Sequence, residues 1–185
     1  MSILISVNEA TKQPTNLILI GFMGTGKSTI GKLSARSLGF KYVDTDDVIV
    51  ELAGKSIPEI FAEHGEKRFR EFEVEALKLC AENEHQVIAT GGGIVTTEEN
   101  RALLKKAGYV IWLSAEPEAI YDRVSRNHNR PLLKTEDPLA TIRELLAQRK
   151  GFYEETAQME IATTDLTVDE IVHGVTDCAR IAFSA

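Results

Sequence analysis

The chain predicts a doubly wound α/β fold, a five-stranded parallel sheet flanked by helices, and three observations carry that prediction. Five short apolar or β-rich runs, at Leu17–Ile20, Lys41–Asp44, Val87–Thr90, Tyr109–Leu113 and Met159–Thr163, alternate with stretches whose apolar residues recur at helical spacing. The segment Gly21-Phe22-Met23-Gly24-Thr25-Gly26-Lys27-Ser28-Thr29 fits G-x-x-x-x-G-K-[ST] without mismatch and stands between the first run and the first helical stretch. No internal repeat or linker interrupts the alternation. Strands separated by helices pair in parallel, because each crossover returns the chain to the same edge of the sheet.

The first run, Leu17–Ile20, enters the glycine-rich loop, and a helix follows over Ser28–Leu38 with Ile30, Leu33 and Leu38 on its inner side and Gly39 closing it. The second run ends in Asp44-Thr45-Asp46-Asp47, where strand alternation puts Asp44 and Asp46 on one side of the sheet's carboxyl edge and Asp47 caps a short helix over Val48–Ala53. Ser56-Ile57-Pro58-Glu59 forms a capping box for a second short helix that Gly65 ends. A longer helix from Glu66 to Asn83 carries Phe69, Phe72, Ala76 and Cys80 on one stripe. Arg70 sits on the adjoining stripe, either facing partly inward or paired at the surface with Glu66 or Glu73.

The third strand runs into Gly91-Gly92-Gly93, which makes either a plain turn or a shelf of bare backbone N–H groups for a small polar ligand. A helix over Glu98–Lys106, capped through Thr96 and Glu99, leads to the fourth strand, and another runs from Glu118 to Arg126. Residues 125–137, polar and marked by Pro131, read as a mobile lid carrying Arg130. Then Pro138–Lys150 is helical with Ile142, Leu145 and Arg149 in line, and Thr167 and Glu170 cap a last helix running to Phe183.

At 185 residues the chain is expected to form one domain over 17–185, with 1–16 as a flexible N-terminal extension. The formal net charge of −7, without a basic run, argues against a sequence-independent grip on nucleic acid. The longest apolar stretch, Leu17–Met23, is too short to span a bilayer, and no signal-peptide pattern precedes it. A cytoplasmic monomer is the expectation. Cys80 and Cys178 are far apart and have no clustered His, so neither metal nor redox chemistry is assigned to them.

The loop supplies backbone N–H groups and a helix N-terminus to the phosphates of ATP, with Lys27 reaching the β/γ oxygens and Ser28 offering its hydroxyl to Mg²⁺. Gly24, Thr25, Gly26 and Thr29 complete the nucleotide-binding set. An aspartate pair beside such a loop suits a metal and a base for an acceptor hydroxyl, and inward arginines imply an acceptor with its own anion, such as a carboxylate. Together these residues point to a small-molecule kinase site.

Six motifs in order then resemble the shikimate kinase family: the loop at 21–29, Asp-Thr-Asp at 44–46, Gly-Lys-Ser-Ile at 54–57, Phe-Arg at 69–70, Thr-Gly-Gly-Gly at 90–93 and Arg-Pro-Leu-Leu at 130–133. The resemblance implies a P-loop fold of the nucleoside-monophosphate-kinase type and transfer of the ATP γ-phosphate to the 3-hydroxyl of shikimate in aromatic amino acid synthesis. It assigns Ser28 to Mg²⁺ directly and Asp44 through water, and Asp46 to the shikimate hydroxyls as base. By the same resemblance Arg70 and Arg149 clamp the carboxylate, Gly91, Gly92 and Gly93 meet the ring hydroxyls, Arg123 stacks near adenine, and Arg130 comes from the lid. The chain departs from the family pattern at Ala162-Thr163-Thr164-Asp165 and at Gly151-Phe152-Tyr153, the second expected to loosen a turn after Arg149. A gluconate-type kinase, a nucleoside monophosphate kinase and an inactive nucleotide-binding homologue are the competing readings.

Overall fold

The computed structural model describes residues 14–125 and 135–184. The strands are β1 (Leu17–Ile20), β2 (Lys41–Asp44), β3 (Gln86–Ala89), β4 (Tyr109–Ser114) and β5 (Met159–Ala162). They form a single all-parallel sheet in the order β2-β3-β1-β4-β5. The helices are α1 (Lys27–Leu38), α2 (Thr45–Ala53), α3 (Ile57–Ala81), α4 (Glu98–Ala107), α5 (Pro117–Val124), α6 (Pro138–Thr156) and α7 (Val168–Ser184). A 3₁₀ turn at Ile94–Thr96 precedes α4.

Both faces of the sheet are covered, which is why its central strands are apolar without alternation. Ile18 and Ile20 point to the side packed by α3, α4 and α6, with Leu77, Leu104 and Tyr153. Leu17 and Leu19 point to the opposite side, against Ile30 of α1 and Ile171, Val175 and Ala179 of α7. A smaller cluster of Ile49, Ile60, Phe69, Phe72 and Ala76 fastens α2 to α3.

Several boundaries differ from the sequence reading, each for a local reason. The helix after β2 begins at Thr45, not near Asp47, because the Asp44 side chain accepts the Asp46 backbone N–H and takes the cap for itself. Asp46 therefore lies in a helical first turn, not in a strand. The break expected at Gly65 is present: with φ 72° and ψ −179° there, α3 is two helical segments joined at a kink. The box expected from Thr96 and Glu99 is not made: Thr97 precedes α4, Thr96 Oγ1 donates to Gly93 O, and Glu99 pairs with Lys78. Gly151 does not end α6, which continues to Thr156 because Tyr153 is fully buried one turn beyond Arg149. That burial outweighs the roughly 1 kcal/mol that a helical glycine costs.

Residues 1–13 of the expected extension lie outside the described residues, but its last two belong to the folded body. Thr15 O accepts the His85 N–H, and Asn16 is buried, donating to Asn83 O and Ala107 O and accepting the Gln86 N–H. Residues 126–134, with Arg130, also lie outside the described set. Among the described residues no helix is long and apolar enough to cross a membrane, and both cysteines are free.

Candidate active site

The loops after β1 and β3 leave adjacent strands toward opposite faces of the sheet, α1 to one and α4 to the other. That divergence opens a crevice at the carboxyl edge, where open α/β sheets bind ligands.

The first wall is the loop after β1. Positive φ at Gly21, Gly24 and Gly26 curls it, and Gly26 caps α1 with no side-chain hydrogen bond and no acidic residue in the first turn. The leading N–H groups of α1 are thus left without a side-chain cap and with the helix dipole uncompensated, as an anion requires. Lys27 is buried and its Nζ donates to Gly21 O and Phe22 O, 2.8 Å each, which holds the ammonium inside the loop. Thr25 Oγ1 donates to Phe22 O at 2.8 Å, so its role is to brace the loop from within. Ser28 and Thr29 are exposed on the first turn of α1.

Asp44 stands across from Ser28. Its Oδ2 accepts from Ser28 Oγ at 3.1 Å and Tyr42 OH at 2.9 Å, while Oδ1 holds the Asp46 N–H. Burial and the neighbouring Asp44 push the Tyr42 phenol well above its usual range, so it remains a donor to Asp44. One hydroxyl and one oriented carboxylate are hard oxygen donors that fit Mg²⁺, an ion that takes its other ligands from phosphate and water. Among the described residues no group of three His, Cys, Asp or Glu side chains forms an all-protein metal cage.

The second wall is the glycine run after β3. An ideal Cβ on Gly92 would lie 2.9 Å from Met23 N and 3.4 Å from Phe22 C, so the run rests directly against the phosphate loop. Any side chain there would pry the two walls apart. The Gly91 N–H donates to Thr45 Oγ1, and Asp46 Oδ1 and Glu73 Oε1 flank the same glycine, 2.9 and 3.4 Å from its ideal Cβ position.

Both arginines reach this shelf. Arg70 Nη1 lies 2.8 Å from the ideal Cβ position of Gly93, and Arg149, buried in α6, donates from Nη1 to Gly92 O at 3.2 Å with its guanidinium 5.4 Å from the Phe22 ring. The two readings of Arg70 are both true: it faces inward, and it pairs with Glu66 at 2.8 Å and Glu73 at 2.7 Å. Glu73 is the residue that sequence reasoning left as a surface partner. It is 1% exposed, and burial raises its carboxyl above the usual range, with Asp46 adding to the rise and Arg70 and Arg149 opposing it. A lone Glu three residues after an arginine gives no sequence signal of that burial.

Arg123 spans the far side of the loop, donating to Thr163 Oγ1 at 3.0 Å, Thr163 O at 2.8 Å and Gly24 O at 3.4 Å. Thr163, in the segment that departs from the family pattern, is itself buried and donates to Ser114 O. The edge β4–β5 is thereby tied to the phosphate loop.

The sequence comparisons bear on this arrangement directly. The family model described as Shikimate kinase matches residues 23–180, from inside the phosphate loop to the last helix. The chain belongs to the shikimate kinase family. A shikimate kinase of Thermodesulfovibrio yellowstonii is 47% identical over 160 residues, covering 86% of this chain and 92% of that one. The solved shikimate kinase from Acinetobacter baumannii, in complex with shikimate, superposes with a TM-score of 0.85 at 36% identity, covering 91% of this chain and 93% of the other. A gluconokinase from Sinorhizobium meliloti reaches a TM-score of 0.54 at 14% identity, a likeness of fold alone. The α/β class expected for shikimate kinases is therefore the one observed, with all five strands parallel.

Proposed function

We propose that this chain transfers the γ-phosphate of ATP to the 3-hydroxyl of shikimate, giving shikimate 3-phosphate and ADP. The observation that carries the reading is the contact of the Gly91–Gly93 shelf with Phe22 and Met23, which sets an acceptor site holding Asp46, Arg70 and Arg149 against the phosphate loop. A pocket with one carboxylate base and two guanidinium groups suits a polyhydroxylated acid.

In this reading Arg70 and Arg149 hold the acceptor carboxylate and Gly91, Gly92 and Gly93 orient the ring hydroxyls. Asp46 takes the proton of the 3-hydroxyl as its oxygen attacks the γ-phosphorus in line, and the P–O bond to ADP breaks. Gly24, Gly26, Lys27 and the first turn of α1 hold the transferring phosphates, and Arg123 lines the nucleotide side. Ser28 and Asp44 would hold Mg²⁺, which neutralises charge on the phosphate oxygens. Arg130 would reach the phosphates from the segment after α5. A monomer working in the cytoplasm on two small substrates, with neither nucleic acid nor membrane as partner, completes the proposal.

The test is ADP release with MgATP and shikimate, gluconate, AMP or CMP as acceptor. Turnover with shikimate alone is the expected result. Turnover with another acceptor keeps the kinase and discards the acceptor assignment, and silence with all four leaves a nucleotide-binding homologue.

A further inference from the structure

One buried hydroxyl reaches the acceptor shelf from the core of the sheet. Tyr153 is fully buried in α6, and its OH donates to Gly92 O at 2.7 Å, the same carbonyl that accepts Arg149 Nη1 at 3.2 Å. Its ring stacks on Trp112 of β4, with centroids 5.4 Å apart and planes 13° from parallel. Burial pushes the phenol up to about 12, so the group is a permanent donor near neutral pH.

Two donors on one carbonyl fix the rotation of a whole peptide unit, because a trans peptide is planar and its C=O and the following N–H point in opposite directions. With the Gly92 carbonyl drawn to α6, the N–H of Gly93 is turned away from α6. Gly93 is the glycine beside the Arg70 guanidinium. A glycine peptide has no side chain to resist rotation, so its orientation comes from these partners.

We infer that Tyr153 is a positioning residue of the acceptor site: it locks the Gly92–Gly93 peptide and, by sharing the carbonyl with Arg149, sets where that guanidinium points. The inference rests on the acceptor reading given above. Trp112, the only tryptophan of the chain, backs the ring so that the hydroxyl keeps its aim.

The experiment compares Tyr153→Phe, Arg149→Ala and the double variant in steady-state assays against both substrates. Tyr153→Phe keeps the ring and removes one oxygen. Its shikimate KM is expected to rise about fivefold, the size of one neutral hydrogen bond, with the ATP KM unchanged. The double variant should lose less than the product of the single losses, because the two side chains serve one carbonyl. An unchanged shikimate KM in Tyr153→Phe beside a raised one in Arg149→Ala overturns the positioning role and leaves the acceptor reading standing. Unchanged values in both variants remove the acceptor reading as well. Equal rises in both KM values would make Tyr153 a merely structural residue. Should Tyr153→Phe not fold, Trp112→Phe, which loosens the backing of the Tyr153 ring, takes its place: a raised shikimate KM with the ATP KM unchanged is expected, and an unchanged shikimate KM overturns the inference.

Discussion

At the scale of single residues, the site is a balance among four charged side chains: Asp46, Glu73, Arg70 and Arg149. Asp46→Asn keeps the shape of the shelf and removes the proposed base, so kcat should fall by roughly 10²–10⁴-fold while the ATP KM stays within about twofold. A near-normal kcat would dismiss Asp46 as base. Glu73 supplies a pH signature. Its folded pKa lies above the ordinary carboxylate value because burial disfavours its charge, so between the unfolded and folded pKa the native state holds the extra proton. Its stabilising contribution is complete below the unfolded pKa and is lost as pH rises through the folded one. The stability difference between the unaltered protein and Glu73→Gln, followed by urea denaturation from pH 4 upward, should therefore shrink as pH rises. A difference that grows with pH would mean that Arg70, not burial, governs this carboxyl. The sequence reached Asp44 and Asp46 by strand alternation, although Asp46 belongs to a helix. A residue two positions past a strand end lands near the same edge in either conformation, and so the neighbourhood was legible where the backbone was not.

Among elements, the bent α3 and the long α6 matter most. Gly65 holds φ 72° and ψ −179°, a region essentially closed to side chains, although nothing lies within 4 Å of its ideal Cβ position. Gly65→Ala should cost about 2 kcal/mol by backbone strain alone, lowering the thermal midpoint by about 4–8 °C in scanning calorimetry. An unchanged midpoint would show that the bend relaxes freely. The glycine was readable as a break because it closes the short helix that the Ser56–Glu59 box opens; helix resumes at Glu66, and Phe69 and Phe72 seal it to α2. The end of α6 was not readable. Local propensity placed the stop before Gly151, whereas the contact that carries the helix onward joins Tyr153 to Trp112, residues far apart in the chain. Strand cores and the phosphate loop are local signals; the reach of α6 is a tertiary one.

For the whole molecule, a net charge of −7 coexists with a crevice lined by Lys27, Arg70 and Arg149. Electrostatic attraction for anionic substrates is thus local, not a property of the surface at large. Each substrate should stabilise the folded chain by mass action, by about 2.7 kcal/mol at a hundredfold excess over Kd. Thermal scans with shikimate should accordingly show a midpoint raised by about 5–11 °C, and gluconate at the same concentration should leave it in place. Equal shifts for the two acids would mean that the arginines read only the carboxylate. The strand order was beyond the sequence, since alternation fixes parallel pairing but not which strand takes the centre. That centre is β1, the first strand in chain order among the described residues, flanked by β3 and β4. On a ribosome adding about 5–20 residues per second, roughly 3–14 s separate the appearance of β1 from that of β3. Throughout that interval the phosphate loop has no second wall, and the nascent chain presents an apolar strand with both edges open. The loop therefore gains its second wall only with the glycine run after β3, and the other edge of β1 stays open until β4 follows.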